Sequence, residues 1–412
     1  MLGTNFADEP KIGGLDCYYH GGYNEPKNSF TREYGDGGEV DNFFSHNATT
    51  RVKREWGEGP LVQQAFIRAK DLDDTYGTPP IRLGAALWCG IDHQRGYHPD
   101  PFWGGLLDGV RVPRYAYYLF QSQYAPDYKL AGIATGPMLF IAHELTQVSP
   151  ADVVIYSNCE EVRLTWLGKG AGTQKPDARY RHLPHPPFTF TKVFDFHRIN
   201  SQWRDRTGQI EMVAEGLIGG QVVTRVVKKY PERTTALQVT VDDAGIGLSA
   251  DGSDFVPVRA TVVDGKGVLK VLASEYVYFV VEGPAEIIGG TLNQANPVKT
   301  DFGTATALLR AKTVAGTIKV KAYAAGLSYG EAYLASVPPP LALGYDPAFA
   351  AASKAPANGE LLVVGADPPA MPADVNSMQA EILRLRREAT SKQQEVMDLR
   401  KQLLEKKKED QP

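Results

Sequence analysis

Glu33 has the clearest setting for chemistry in this sequence. It lies in the run Ser29-Phe30-Thr31-Arg32-Glu33-Tyr34, which breaks off into Gly35-Asp36-Gly37-Gly38. A carboxylate at an apolar-to-polar strand end, followed by glycines that let the backbone turn away, is presented at the rim of a sheet. Arg32 beside it and the Tyr34 hydroxyl can keep the group ionised, as a carboxylate nucleophile requires. The same pattern describes a surface ion pair of Arg32 with Glu33, and local spacing alone favours that reading. Asn24-Glu25 places a second carboxyl eight positions earlier, in a loop of Gly, Asn and Pro, and Glu25 reads as a loop residue.

Trp88 ends a second apolar run, Ile81 to Cys89, and is followed by Asp92, His93, His98 and Asp100. These groups have the chemistry to hydrogen-bond a hydroxylated ligand or to hold a cation, and a loop facing water is polar in any case. Asp92 and His93, directly after the strand end, carry the functional reading, whereas His98 and Asp100 read as loop polarity. Tyr18, Tyr19 and His20 end an earlier run and are weaker candidates for the same rim. Trp56, Trp88 and Trp103 crowd the first third, which suits stacking on sugar faces as well as ordinary packing.

Periodicity shows which elements must position these residues. Ile12 to Tyr19 and Ser29 to Tyr34 read as strands. Val62, Ala65, Phe66, Ala69 and Leu72 recur at helical spacing until Thr78-Pro79-Pro80 stops them, and Ile81 to Cys89 reads as a strand again. Strand, helix, strand is a parallel crossover unit. A further helix is expected from Pro113 to Gln123, with Tyr115, Leu119 and Phe120 on one face.

From Pro137 onward, β-branched and aromatic segments alternate with Gly, Pro, Asn and Asp turns, without a strong helix signal. The segments are Val153 to Tyr156, Val162 to Leu167, Phe188 to Phe196 and Ile210 to Tyr230. The rhythm resumes at Leu237 to Val241, Val256 to Val263, Tyr276 to Glu282, Ala305 to Ala311 and Gly316 to Ala324. It predicts two immunoglobulin-like sandwiches in tandem. Residues 336–373, rich in Ala and Pro, are expected to form a linker. Beyond it, Met378, Ile382, Leu385, Ala389, Lys392, Val396, Leu399 and Leu403 follow the 4-3 spacing of a coiled-coil seam. A parallel dimer or trimer and a solvated single helix both stay open there, because Ala389 and Lys392 weaken the seam.

With 412 residues the chain exceeds one core, since single cores stop growing at roughly 250 to 300 residues. A hydrophobic fraction of 43% and a charged fraction of 22% are those of ordinary globular proteins. No apolar run approaches the roughly 20 residues of a membrane span. The net charge of −4, with no basic stripe before the last residues, leaves out a nucleic-acid footprint and favours a neutral substrate. Cys17, Cys89 and Cys159 lack CxxC or Cys/His spacing, so buried thiols are expected rather than disulfides, and neither a metal nor another cofactor is implied. The N-terminus lacks the basic and apolar regions of a signal peptide, and the compartment stays open.

Several ordered motifs carry a resemblance. REYG, then LGAALWCGID, then GGLLDGVRVPRYAYYLFQSQY resembles the end of the (β/α)8 barrel of glycoside hydrolase family 2, which includes β-galactosidases. Gly105-Leu106-Leu107-Asp108, followed by Arg111 and Pro113, resembles the family signature leading into the last barrel helix, with Arg114 in place of the usual lysine. The run from Asp152 to Leu164, DVVIYSNCEEVRL, is similar to a strand pair of the sandwich that follows the barrel. GPAEIIGG from Gly283, with Ala324-Ala325-Gly326-Leu327, resembles a further C-terminal sandwich of bacterial members.

The resemblance implies a multidomain chain: the C-terminal part of an incomplete (β/α)8 barrel over 1–135, immunoglobulin-like sandwiches over 136–233 and 234–335, the linker, and a helical coiled-coil tail over 374–412. It implies that Glu33 is the nucleophile and that Trp88 lines the sugar subsite, with Tyr34, Asp92 and His93 as further contacts. Retaining hydrolysis needs a second carboxyl about 5 to 5.5 Å away. In the family that acid/base stands in an Asn-Glu pair two strand-helix units earlier, so it is expected upstream of this sequence and not at Glu25. The implied function is the C-terminal portion of a retaining exo-glycosidase acting on carbohydrate and inactive alone. The default activity is β-galactosidase-like, because the Asn-x-Lys motif of glucuronidases is not seen between Trp88 and Arg111. Expected partners are a separately encoded N-terminal half and, through the coiled coil, a second copy. The alternative is a non-catalytic carbohydrate-binding or scaffolding sandwich protein. Bacterial members are often exported.

Overall fold

A computed structural model describes residues 16–19, 29–34, 51–80, 82–94, 101–130, 133–205, 210–289, 295–339 and 384. His20, Glu25, His98, Asp100, most of the Ala/Pro-rich segment and, apart from Arg384, the heptad run lie outside the described residues. The chain divides into two units, Met1–Tyr230 and Pro231–Pro412. Among the described residues no helix is long and apolar enough to cross a membrane.

The first unit opens with strands β1 (Asp16–Tyr19), β2 (Ser29–Tyr34) and β3 (Arg82–Leu87), which form a parallel sheet in the order β1-β2-β3. Helix α1 (Glu58–Tyr76) crosses from β2 to β3, as parallel pairing demands. Its buried stripe runs through Leu61, Ala65, Arg68, Ala69 and Leu72. Phe66, expected on that face, is 44% exposed, because one step of 100° from Ala65 takes it off the stripe. Its ring instead meets Tyr180 edge-on at 6.5 Å. Helix α2 (Tyr115–Gln121) starts two residues later than expected, after an extended Arg114.

After a two-strand hairpin, β4 (Lys129–Leu130) and β5 (Ile133–Ala134), the first sandwich begins. One sheet joins β6 (Leu139–Ala142), β7 (Val153–Ser157) and, beyond two further strands in sequence, β10 (Phe188–Phe190). The facing sheet has β8 (Glu161–Trp166), β9 (Lys169–Gln174), β11 (Glu211–Ile218) and β12 (Gln221–Lys229), in the order β12-β11-β8-β9. Alternate residues point inward, Val162, Leu164 and Trp166 from β8 and Met212 and Ala214 from β11. Gly219 and Gly220 close the β11–β12 hairpin at φ +57 and +75, the backbone of a type I′ turn that glycine adopts freely.

Helix α3 (Phe196–Asp205) corrects the expectation of a helix-free region and of a strand reaching Phe196. Its signal is local: Asp195 accepts the His197 amide hydrogen at 3.0 Å, an N-terminal cap, and Ile199 is buried one turn on.

The second unit is a sandwich of β13 (Thr234–Val241), β14 (Leu248–Ser249), β15 (Phe255–Asp264), β16 (Tyr276–Glu282), β17 (Ala285–Ile287), β18 (Val298–Lys299), β19 (Thr304–Ala311), β20 (Gly316–Tyr323) and β21 (Gly330–Val337). The sheets run β13-β15-β19-β17 and β14-β21-β20-β16-β18, and among the described strands β14 and β21 pair parallel. Val258, Ala260 and Val262 meet Phe279, Ile318 and Val320 across the core.

Candidate functional site

Glu33 is placed by its backbone register. It stands opposite Tyr19 at the C-terminal end of β2, one residue before Tyr34, which pairs with Leu87 of β3. The Trp88 amide donates to the Tyr34 carbonyl at 2.9 Å, so Trp88 emerges at the same end of the sheet. Tyr34 itself lies among charges of α1. Burial pushes its phenol well above the ordinary range, against the opposing pull of Arg68, with Tyr76 and Asp71 adding to the rise. Its hydroxyl therefore stays protonated.

Trp88 is half-buried and its ring is held edge-on by His93 at 5.2 Å and by Phe102 at 6.5 Å. His93 and Phe102 are joined through their backbones as well, the Phe102 amide donating to the His93 carbonyl at 2.9 Å. The Arg51 guanidinium lies over the Phe102 ring, 4.5 Å from its centre. Trp103, the next residue, takes Lys53 over its ring at 4.0 Å and Trp56 edge-on at 5.6 Å.

Asp92, expected to meet substrate, is engaged inside the protein. Its carboxylate accepts from the Arg114 guanidinium at 2.9 and 2.6 Å and from the Gly105 amide at 2.9 Å, and its side chain is 6% exposed. Burial, the largest influence, pushes its carboxyl upward against Arg114 and that amide. Asp108, in the signature before α2, shapes its own turn by accepting the Val110 and Val112 amides at 2.9 and 2.8 Å.

Two residues were not anticipated. Arg68 donates to the carbonyls of Gly104 at 2.8 Å and Trp88 at 3.3 Å, reaching from α1 to the strand end. Its signal in the sequence is a cation in step with Leu61, Ala65 and Leu72 on an apolar stripe. Arg114 is the second, visible only as a departure from lysine. Among the described residues no group of three His, Cys, Asp or Glu is placed to hold a metal ion.

Residues 237–332 match the model of glycoside hydrolase family 2 C-terminal domain 5. The chain carries a glycoside hydrolase family 2 C-terminal region. That region is similar to a β-glucuronidase of Formosa agariphila, 28% identical over 72% of this chain and 28% of the relative. A β-galactosidase of Thermoanaerobacterium thermosulfurigenes is 26% identical over 50% of this chain and 29% of the relative. The chain therefore spans less than a third of either relative's length. Among solved structures, a β-glucuronidase from glycoside hydrolase family 2 shares the fold over 76% of this chain and 32% of its own, with a TM-score of 0.53 and 22% identity. The family 2 C-terminal region thus includes a mostly β architecture, and the matched domain coincides with the second sandwich.

Proposed function

We infer that Glu33 is the carboxylate nucleophile of a retaining glycosidase site at the C-terminal ends of β1, β2 and β3, with Trp88 as a stacking surface for the sugar. The observation that carries this reading is the bond from the Trp88 amide to the Tyr34 carbonyl, 2.9 Å, which sets Trp88 beside the residue following Glu33. In this reading β1 to β3 with α1 and α2 are the end of a (β/α)8 barrel, whose chemistry sits at the C-terminal strand ends. The proton donor comes from polypeptide outside this sequence, and terminal β-galactosides are the substrate, in line with the relatives named β-galactosidase.

The test is to assay the purified chain on nitrophenyl β-galactoside and β-glucuronide, alone and with a polypeptide supplying the preceding barrel strands. The chain alone should give no turnover, since a missing general acid by itself costs roughly 10²- to 10⁴-fold. The complemented chain should turn over the galactoside and lose that activity in Glu33→Gln. Complemented activity that survives Glu33→Gln would overturn the nucleophile. Turnover by the chain alone would overturn the external proton donor, and preference for the glucuronide would overturn the sugar.

A further inference from the structure

The segment after β3 is zipped to the segment before α2. The Leu106 amide donates to the Cys89 carbonyl at 3.2 Å, Leu107 to Gly90 at 3.0 Å and Asp92 to Leu107 at 3.0 Å. Gly105 lies inside this zip, where a Cβ would come within 2.6 Å of the Asp92 nitrogen and 2.4 Å of the Leu107 oxygen. The Arg114 guanidinium sits at its centre, 2% exposed. Nη1 donates to Asp92 Oδ1 at 2.9 Å and to the carbonyls of Gly105 at 2.9 Å and Leu107 at 3.2 Å, while Nη2 donates to Asp92 Oδ2 at 2.6 Å. His93 follows Asp92 directly, and its ring is the edge-on neighbour of Trp88.

We propose that Arg114, acting through Asp92, is the positioning residue for the Trp88–His93 wall of the sugar site. The planar fork spans both carboxylate oxygens and two carbonyls at once. An ammonium, a single point charge on a flexible stem, cannot hold all four acceptors in one geometry. Asp92 therefore orients the wall and does not itself contact sugar. The claim that this wall faces sugar rests on the function proposed for Trp88, whereas the claim that Arg114 orients it does not.

The two are separated by labelling the full chain with 5-fluorotryptophan and reading the ¹⁹F lines of its five tryptophans, with Trp88 assigned by Trp88→Phe. Arg114→Lys and the milder Asp92→Asn should each displace or broaden the Trp88 line and leave the Trp166 line of the first sandwich in place. The pair in one chain should do no more than the stronger single change. A Trp88 line unmoved in Asp92→Asn, with Trp166 at its native position, would overturn the positioning role. Isopropyl β-thiogalactoside is then titrated into the unsubstituted chain complemented as above. A Trp88 line that moves supports the sugar-facing wall, and one that stays while the variants shift overturns the sugar reading alone.

Discussion

Glu58→Gln is expected to stabilise the folded chain by about 3 kcal/mol above neutral pH, a gain that vanishes in acid. Glu58 opens α1 and is 4% exposed. Its two oxygens accept the Glu144 amide hydrogen at 3.1 Å and the Ser149 hydroxyl at 2.5 Å. The Glu144 carboxylate beside it takes the Tyr115 hydroxyl and the Lys228 ammonium, each at 2.6 Å. Burial above all, aided by the charge of Glu144, pushes Glu58 from 4.5 up to about 7, against the pull of Ser149, Lys228 and the Glu144 amide. The native state keeps this proton up to about 7, while the unfolded chain releases it near 4.5. Its contribution is thus complete below the lower value and is lost as pH rises to the upper one. Glutamine keeps the bond from the Glu144 amide and donates to Ser149 through its amide group, without a charge to bury.

His143, in the same joint, works in the opposite direction. Burial pushes its imidazole from 6.5 down to about 4. It accepts the Leu145 amide hydrogen on Nδ1 at 3.1 Å, so it donates from Nε2 to the Pro150 carbonyl at 2.9 Å as the neutral ring. The unfolded chain takes up a proton near 6.5, and this stabilisation is lost as pH falls toward about 4. In the native chain the two slopes oppose each other between 4.5 and 6.5. In Glu58→Gln the histidine slope stands alone, and stability should climb with pH across that window. Urea unfolding of both proteins at several pH values from about 4 to 8 reads the difference as a shifted midpoint. Identical pH profiles would show that Glu58 is ionised in the folded chain.

Asn296→Ala is expected to cost about 2 to 4 kcal/mol, because it leaves two backbone groups stranded at once. The Asn296 side chain accepts the Phe279 amide hydrogen at 2.8 Å and donates to the Phe279 carbonyl at 2.8 Å, itself only 7% exposed. It stands in for a strand beside β16, where β18 pairs only with Tyr276 and Val277. Asn296→Asp should cost at least as much, since a carboxylate accepts from the amide but sets its charge against the carbonyl. Unfolding free energies within about 0.5 kcal/mol of the native value in both variants, read by urea titration, would refute this account.

Much of the secondary structure was legible because its signals are local. Two-residue alternation marked Val162 to Leu167 and Ala305 to Ala311, which the structure shows as β8 and β19. Helical spacing and a proline stop marked α1, but apolar spacing alone could not rank Val62 and Phe66 against Leu61 and Arg68 for the buried side. The stripe is chosen by what packs on it. Helix α3 is short and sits among strand-like segments, so its apolar residues Phe196, Ile199 and Trp203, although at helical spacing, and its cap at Asp195 do not stand out from the alternation around them.

Glu33 became a candidate in the sequence through the motif around it, and its backbone places it at the strand ends with Trp88. The residue types at the site and the order of the strands were in the sequence, because both depend on short-range pattern and motif spacing. Which charges are taken up inside the scaffold was decided only by the tertiary structure. Asp92 looked like a rim residue and is instead clamped by Arg114. A buried ion pair requires both partners to leave water together, and that coincidence, between residues 22 positions apart, exists only once the two segments are packed.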